Sequence, residues 1–140
     1  MIMVDTSILV DILRQNPTVL QALRELGTTS LFSTEITVME LVYGITSAEF
    51  YRDKPELKHR RLTEIYELCS KFTMLSFDRK AALKTAEVLG DLKLRGQAID
   101  FRDGMIAGIA HANGIHKILT HNIKHFERIP ELETLPLGTP

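Results

Sequence analysis

Met1-Ile2-Met3-Val4-Asp5-Thr6-Ser7 opens the chain: an apolar run without a turn signal, cut off by three polar residues. A short run of this kind reads as a strand buried on both faces, the condition imposed by a parallel sheet covered with helices. Asp5 then stands at the carboxyl end of that strand. In open α/β sheets the loops and helix amino termini at that end enclose a crevice where ligands and chemistry collect. A plainer role fits the same residues, since Asp5, Thr6 or Ser7 would cap the helix Ile8 to Leu13. On this segment alone, capping is the stronger explanation.

From this strand onward the chain alternates helical and extended signals. Asn16 and Pro17 supply a cap and first helical position for a helix Thr18 to Leu26, which Gly27 ends. Leu31 and Phe32 make a short strand between Thr28, Thr29, Ser30 and Ser33, Thr34, completing a βαβ unit. The helix Ile36 to Ser47 carries Ile36, Val38, Met39, Leu41, Val42, Tyr43 and Ile45, so it is expected to be buried nearly all round. Its carboxylate Glu40 then needs a cation or must neutralise. Thr37 and Glu40 also have capping-box spacing, by which Glu40 would only satisfy an amide at the helix start.

After a loop-like Ala48 to Pro55, a helix Glu56 to Lys71 turns Leu62, Ile65, Leu68, Cys69 and Phe72 inward. Arg52, Lys54, Lys58, Arg60 and Arg61 make this the most basic stretch, first a solvated helix face and second a source of phosphate contacts. Phe72 to Phe77 is a third strand, and Asp78 caps a long helix Arg79 to Arg95 with an expected inner stripe of Leu83, Ala86, Leu89 and Leu92. A helix from about Asp103 is rich in Gly and Ala, which lets it approach another backbone closely. Asp100 ahead of it reads chiefly as a cap. Gly114 stops that helix, Ile115 to Leu119 forms a fourth strand ending in Thr120, His121 and Asn122, and Leu132 to Leu135 forms a last one before a tail containing Pro and Gly.

The 140 residues suit one domain, 1–140, with room for a real core. Hydrophobic residues at 44% and charged residues at 25% indicate neither disorder nor a fibrous class. The single cysteine, Cys69, excludes an internal disulfide and a cysteine-built metal site. No run approaches the roughly 18 apolar residues of a membrane span, so a cytoplasmic protein is expected. A net charge of −1 argues against a non-specific nucleic-acid coat but leaves room for a local basic patch.

In a doubly wound sheet the ends of strands one and four lie together, and the helices carrying Glu40 and Asp103 begin on the same edge. Asp5, Glu40, Asp103 and Asn122 can therefore converge. Carboxylates about 4 Å apart repel by about 1–4 kcal/mol per pair, and such a cluster calls for divalent cations. An all-oxygen donor set favours Mg²⁺ or Mn²⁺ over zinc. The implied chemistry is hydrolysis of a phosphodiester. His121 and His125 are expected to be exposed, with His121 near enough to touch substrate.

Taken together, several segments resemble a known family: Val4, Asp5, Thr6, Ser7 with Ile8 to Asp11; Val38, Met39, Glu40, Leu41, Tyr43, Gly44; Asp103, Met105, Ile106, Ala107, Ala110; and Leu119, Thr120, Asn122, Phe126, Ile129, Pro130. Their order and spacing resemble the PIN domain, and more narrowly the VapC toxins of prokaryotic toxin–antitoxin pairs. The resemblance implies a three-layer α/β/α sandwich with a five-stranded parallel sheet and metal-dependent endonucleolytic cleavage of RNA. It implies that Asp5, Glu40 and Asp103 bind the metal, that Thr6 supports Asp5, and that Asn122 stands where many members have a fourth acid. Thr120 and Asp100 are further supporting candidates, and His125 replaces an acid that often precedes the Phe of the last motif. The implied partners are RNA, a VapB-like antitoxin and a second copy of the chain. A PIN-like module that binds RNA or protein without cutting is the alternative. A receiver-like phosphoacceptor fits poorly, because Thr6 follows Asp5 and Leu132 to Pro140 contains no lysine.

Overall fold

The computed structural model describes residues 1–27 and 29–137; Thr28 and the end of the Pro- and Gly-containing tail lie outside the described residues. β1 (Ile2–Val4) leads directly into α1 (Thr6–Leu13), followed by α2 (Pro17–Leu26), β2 (Leu31–Thr34), α3 (Glu35–Thr46), a 3-10 turn (Glu49–Tyr51) and α4 (Pro55–Cys69). The second half runs β3 (Thr73–Leu75), α5 (Arg79–Leu94), α6 (Phe101–Ala112), β4 (Lys117–Leu119), α7 (Ile123–Phe126) and β5 (Glu133–Leu135). Every strand pair is parallel, and the five-stranded sheet has the order β3-β2-β1-β4-β5. This is the α/β/α sandwich expected from the sequence.

β1 is apolar on both faces because both faces are covered. Ile2 and Val4 enter one core with Ile8, Leu9, Val19, Leu41, Ile65 and Leu68, contributed by α1 to α4. Met3 points the other way, into a core built with Ala81, Val88, Leu92, Ile106 and Ile109 of α5 and α6. Alternation of side chains along a strand makes one short segment serve both layers.

The chain winds from β1 outward through β2 to β3, then returns to the other side of β1 with β4. Between β1 and β4 the strand order therefore reverses, and there the two sets of outgoing loops separate and leave a crevice. Met3 pairs with Ile118 and Val4 with Leu119. The Asp5 amide donates to the Leu119 carbonyl at 3.0 Å, so Asp5 and Thr120 leave their strands side by side.

Three local expectations are corrected. α3 is not buried all round: Ile36, Thr37 and Leu41 are buried, whereas Met39 is 50% and Tyr43 64% exposed. Tyr43 borders a groove instead of entering a core. The N-cap of α3 is Thr34, whose hydroxyl accepts from the Thr37 amide at 3.1 Å, so Glu40 has no capping-box role. On α5 the buried stripe is Ala81, Thr85, Val88 and Leu92, so Leu92 is kept from the expected stripe while Leu83 is 62% exposed. The cause lies on α6. A Cβ on Gly108 would stand 2.8 Å from the Ala81 carbonyl oxygen and 2.8 Å from the Thr85 amide, so α5 can present only small residues there.

Candidate active site

Asp5 is both a cap and a crevice residue, so the two readings of the opening stretch are compatible. Its Oδ1 accepts from the Thr6 amide at 2.7 Å, which caps α1. Its Oδ2 accepts from the Thr120 hydroxyl at 2.7 Å and the Ser7 hydroxyl at 3.1 Å. Asp5 is only 4% exposed. Burial pushes its carboxyl above the usual carboxylate range; the Thr120 hydrogen bond is the strongest opposing influence, and the charge of Asp103 adds to the upward push.

Glu40 reaches the same place from the second turn of α3. The Thr6 hydroxyl donates to its Oε1 at 2.9 Å, and the Arg102 guanidinium stands 3.6 Å from Oε2. Burial raises the Glu40 carboxyl as well, against the Thr6 hydrogen bond and the Arg102 charge, while Asp5 and Asp103 push it further up. Asp5, Glu40 and Asp103 thus act on one another electrostatically although they come from three separate elements. The Thr6 hydroxyl also lies 2.9 Å from that of Thr37, which ties the start of α1 to α3.

Asp103 lies in the first turn of α6, where the helix dipole favours a negative charge. Its Oδ2 accepts from the Asn122 amide group at 2.7 Å and stands 2.6 Å from Nδ1 of His125. Asp100 is the N-cap of α6, accepting from the Arg102 amide at 2.8 Å and from its guanidinium at 3.2 Å. Those bonds hold its carboxyl below the usual range. Asp100 thus caps, as its position before the helix indicates. Thr120 is fully buried; besides donating to Asp5, its oxygen accepts from the Asn122 amide at 2.9 Å, linking Asp5 to Asn122.

Four participants escape the sequence reading. Ser7 accepts from the His121 amide at 3.1 Å while holding Asp5. Asp11, one turn along α1, meets Nε2 of the exposed His121 at 2.5 Å. Arg102 is the cation of the cluster, although the basic residues of the sequence concentrate elsewhere. His125, expected to be exposed, is half-buried against Asp103, because Ile123–Phe126 is a helical turn that brings it back over the site. The one signal available for it is the replacement of a usual acid beside Phe126.

Beyond Glu40 and Arg102 a groove of about 730 Å³ runs between α1, α3 and α4, with apolar walls and lined also by Arg14 and by Arg61, which pairs with Glu64 at 2.9 Å. Among the described residues, no three His, Cys, Asp or Glu side chains stand close enough together to hold a metal ion by themselves. The donor set nevertheless fits a hard divalent cation. Magnesium is commonly held by one or two carboxylates, with water and substrate phosphate completing its shell, and two of the three acids here have carboxyls that burial raises, a penalty a cation would offset.

The PIN domain family pattern matches residues 2–132. The chain is 30% identical over 128 residues to the tRNA(fMet)-specific endonuclease VapC of Salmonella typhimurium strain LT2, covering 91% of both chains. Its fold matches a chain in the crystal structure of DNA-bound VapBC from Salmonella typhimurium with a TM-score of 0.81 at 25% identity, over 98% of each chain. It matches VapBC2 from Rickettsia felis, bound to a promoter DNA fragment, with a TM-score of 0.79 at 28% identity, over 96% of this chain and 98% of that one. The combination of a switch-point acid cluster, the PIN pattern along nearly the whole chain and full-length similarity to these proteins places the chain in the PIN-domain family, in its VapC group.

Proposed function

We propose that the chain is a divalent-metal-dependent endoribonuclease and the toxin of a VapBC-type pair, with Mg²⁺ or Mn²⁺ as its ion. The observation that carries this reading is the placement of Asp5, Glu40 and Asp103 around the β1–β4 switch point, near enough to act on one another electrostatically, two of them with carboxyls raised by burial. Asp5, Glu40 and Asp103 would hold the ion, with Asn122 beside them. When bound, a divalent cation polarises a phosphate and lowers the pKa of a water, making a nucleophile at neutral pH.

The chain's own residues supply the positioning. Thr6, Ser7 and Thr120 fix both carboxylate oxygens of Asp5, so its orientation is set before substrate arrives. The Thr6 hydroxyl holds one carboxylate oxygen of Glu40 in the same way. Arg102 is half-exposed at the edge of the cluster and would bind a phosphate oxygen next to the scissile bond. The adjoining groove, with its apolar walls and with Arg14 and Arg61 in its lining, would take a segment of the VapB-like antitoxin. A basic side chain of that segment, resting on the acids, would compete with the ion. A homodimer belongs to the same proposal and is read by sedimentation.

The test is cleavage of cellular RNA by antitoxin-free protein in Mg²⁺, Mn²⁺ and EDTA, with product ends sequenced. The Salmonella relative is named for tRNA(fMet), so that RNA belongs in the panel. Cleavage should require metal and disappear in Asp5→Asn and Asp103→Asn proteins that stay folded. Unchanged cleavage by these variants refutes the assignment; no cleavage by the folded wild type returns the chain to the non-cutting alternative.

A further inference from the structure

Three polar atoms next to Asp5 form a closed triangle. Asp103 Oδ2, Asn122 Nδ2 and His125 Nδ1 lie 2.7, 2.9 and 2.6 Å apart in turn. With Asp103 ionised, protons cannot satisfy all three edges. If the Asn122 amide donates to both neighbours, His125 Nδ1 must offer a lone pair, and its edge with Asp103 joins two acceptors. If His125 Nδ1 carries a proton for Asp103, its edge with Asn122 joins two donors. A histidine nitrogen needs at most one of these contacts, yet the fold presses it against both.

The same arrangement suits a cation. Neighbouring ligands on an octahedral ion with bonds of about 2.1 Å are about 3 Å apart, close to the edges of this triangle. A half-turn of the Asn122 amide puts Oδ1 where Nδ2 stands, so that the triangle then consists of two oxygens and a nitrogen that can all give an electron pair to a cation. Main-chain support is in place: the Asn122 amide is anchored on Thr120, and Asp103 and His125 sit on the first turn of α6 and on α7.

The geometry points to a mixed nitrogen–oxygen position for a divalent cation, formed by Asp103, Asn122 and His125, that selects Mn²⁺ over Mg²⁺. Imidazole is a good ligand for transition ions and a poor one for magnesium, which dehydrates reluctantly and prefers oxygen. The inference rests on the metal-dependent reading of the site and adds to it that His125 is a ligand which decides the metal.

The experiment uses the full chain, free of antitoxin, with Mn²⁺ alone as probe and no RNA. Pulsed electron paramagnetic resonance of the bound Mn²⁺ should show nitrogen modulation from a directly bound imidazole. That modulation should vanish in His125→Glu, which still binds Mn²⁺, and persist in His121→Ala. Calorimetry should show the ratio of Mn²⁺ to Mg²⁺ affinity falling by about tenfold or more in His125→Glu. Mn²⁺ bound without nitrogen modulation, or modulation that survives His125→Glu, overturns this inference while leaving the metal-dependent nuclease intact. No Mn²⁺ binding, together with cleavage that persists in EDTA, overturns both.

Discussion

Replacing Thr120 by Val tests how Asp5 is held. The substitution exchanges a hydroxyl for a methyl of similar shape at a fully buried position and keeps the β-branched side chain, so packing should survive. What is lost is the 2.7 Å hydrogen bond to Asp5 and the acceptor for the Asn122 amide. A bond to an ionised group contributes about 1.5–3 kcal/mol and one to a neutral group about 0.5–1.5 kcal/mol. The cost must therefore depend on pH. Burial raises Asp5 above its ordinary 3.8, so protonation favours the folded chain: that contribution is complete below 3.8 and is lost as pH rises through the raised folded value. Removing Thr120 withdraws the strongest influence opposing the rise, which makes the loss at high pH deeper. Urea unfolding across pH should give a destabilisation that grows by about 1–1.5 kcal/mol as Asp5 ionises, on top of a constant cost of about 1 kcal/mol for the orphaned amide. Thr120→Ser, which keeps the hydroxyl, should show only the pH-independent cost of a lost methyl. A flat pH dependence in Thr120→Val, or equal slopes in Val and Ser, would refute the claim that this hydroxyl steadies the charged form of Asp5.

Other consequences are as direct. Gly108→Ala should destabilise by about 2 kcal/mol or more in thermal unfolding, because its Cβ meets backbone atoms of Ala81 and Thr85 at 2.8 Å. Gly104→Ala should cost less than Gly108→Ala: its Cβ meets Leu89 at Cδ2 and Cγ, 2.5 and 2.8 Å away, so that one side chain must move as a whole but no backbone atom, and alanine improves the helix by about 1 kcal/mol. Ser7→Ala removes both a donor to Asp5 and the acceptor for the His121 amide, so hydrogen exchange at that amide should accelerate and stability should drop by about 1 kcal/mol. Arg102→Met should weaken RNA binding and lower the slope of log affinity against log salt by about one, read by filter binding at several salt concentrations.

The positions of Asp5, Glu40 and Asp103 are legible in the sequence because each follows from a boundary or helical phase within a local segment: the end of an apolar run, an acid on an apolar helix, an acid at the start of a helix. The cap at Asp100 is legible for the same reason. Contacts made across the fold are not. Asp11 meets His121 over a sequence separation of 110 and Thr120 meets Asp5 over 115, and both depend on the β1–β4 register, which no local pattern encodes. His125 depends in addition on a single helical turn too short to show a period.

The misplaced stripe on α5 shows where a stronger signal lay unread. Leu83, Ala86, Leu89 and Leu92 have helical spacing and carry the larger apolar surface, so hydrophobicity alone selects them. The partner helix decides otherwise for Leu83 and Ala86, while Leu92 is buried as expected. Gly108 brings the two backbones so close that only Ala81 and Thr85 fit there, Gly104 one turn earlier receives the Leu89 side chain, and the leucine at 83 turns to solvent. Gly104 follows Asp103 directly, so the close packing that α5 must accommodate also fixes the turn that carries the acid. A glycine whose Cβ would meet backbone therefore predicts small residues on the facing helix, a glycine that faces open side-chain space admits a leucine, and the acid beside Gly104 ties this packing to the chemistry of the crevice.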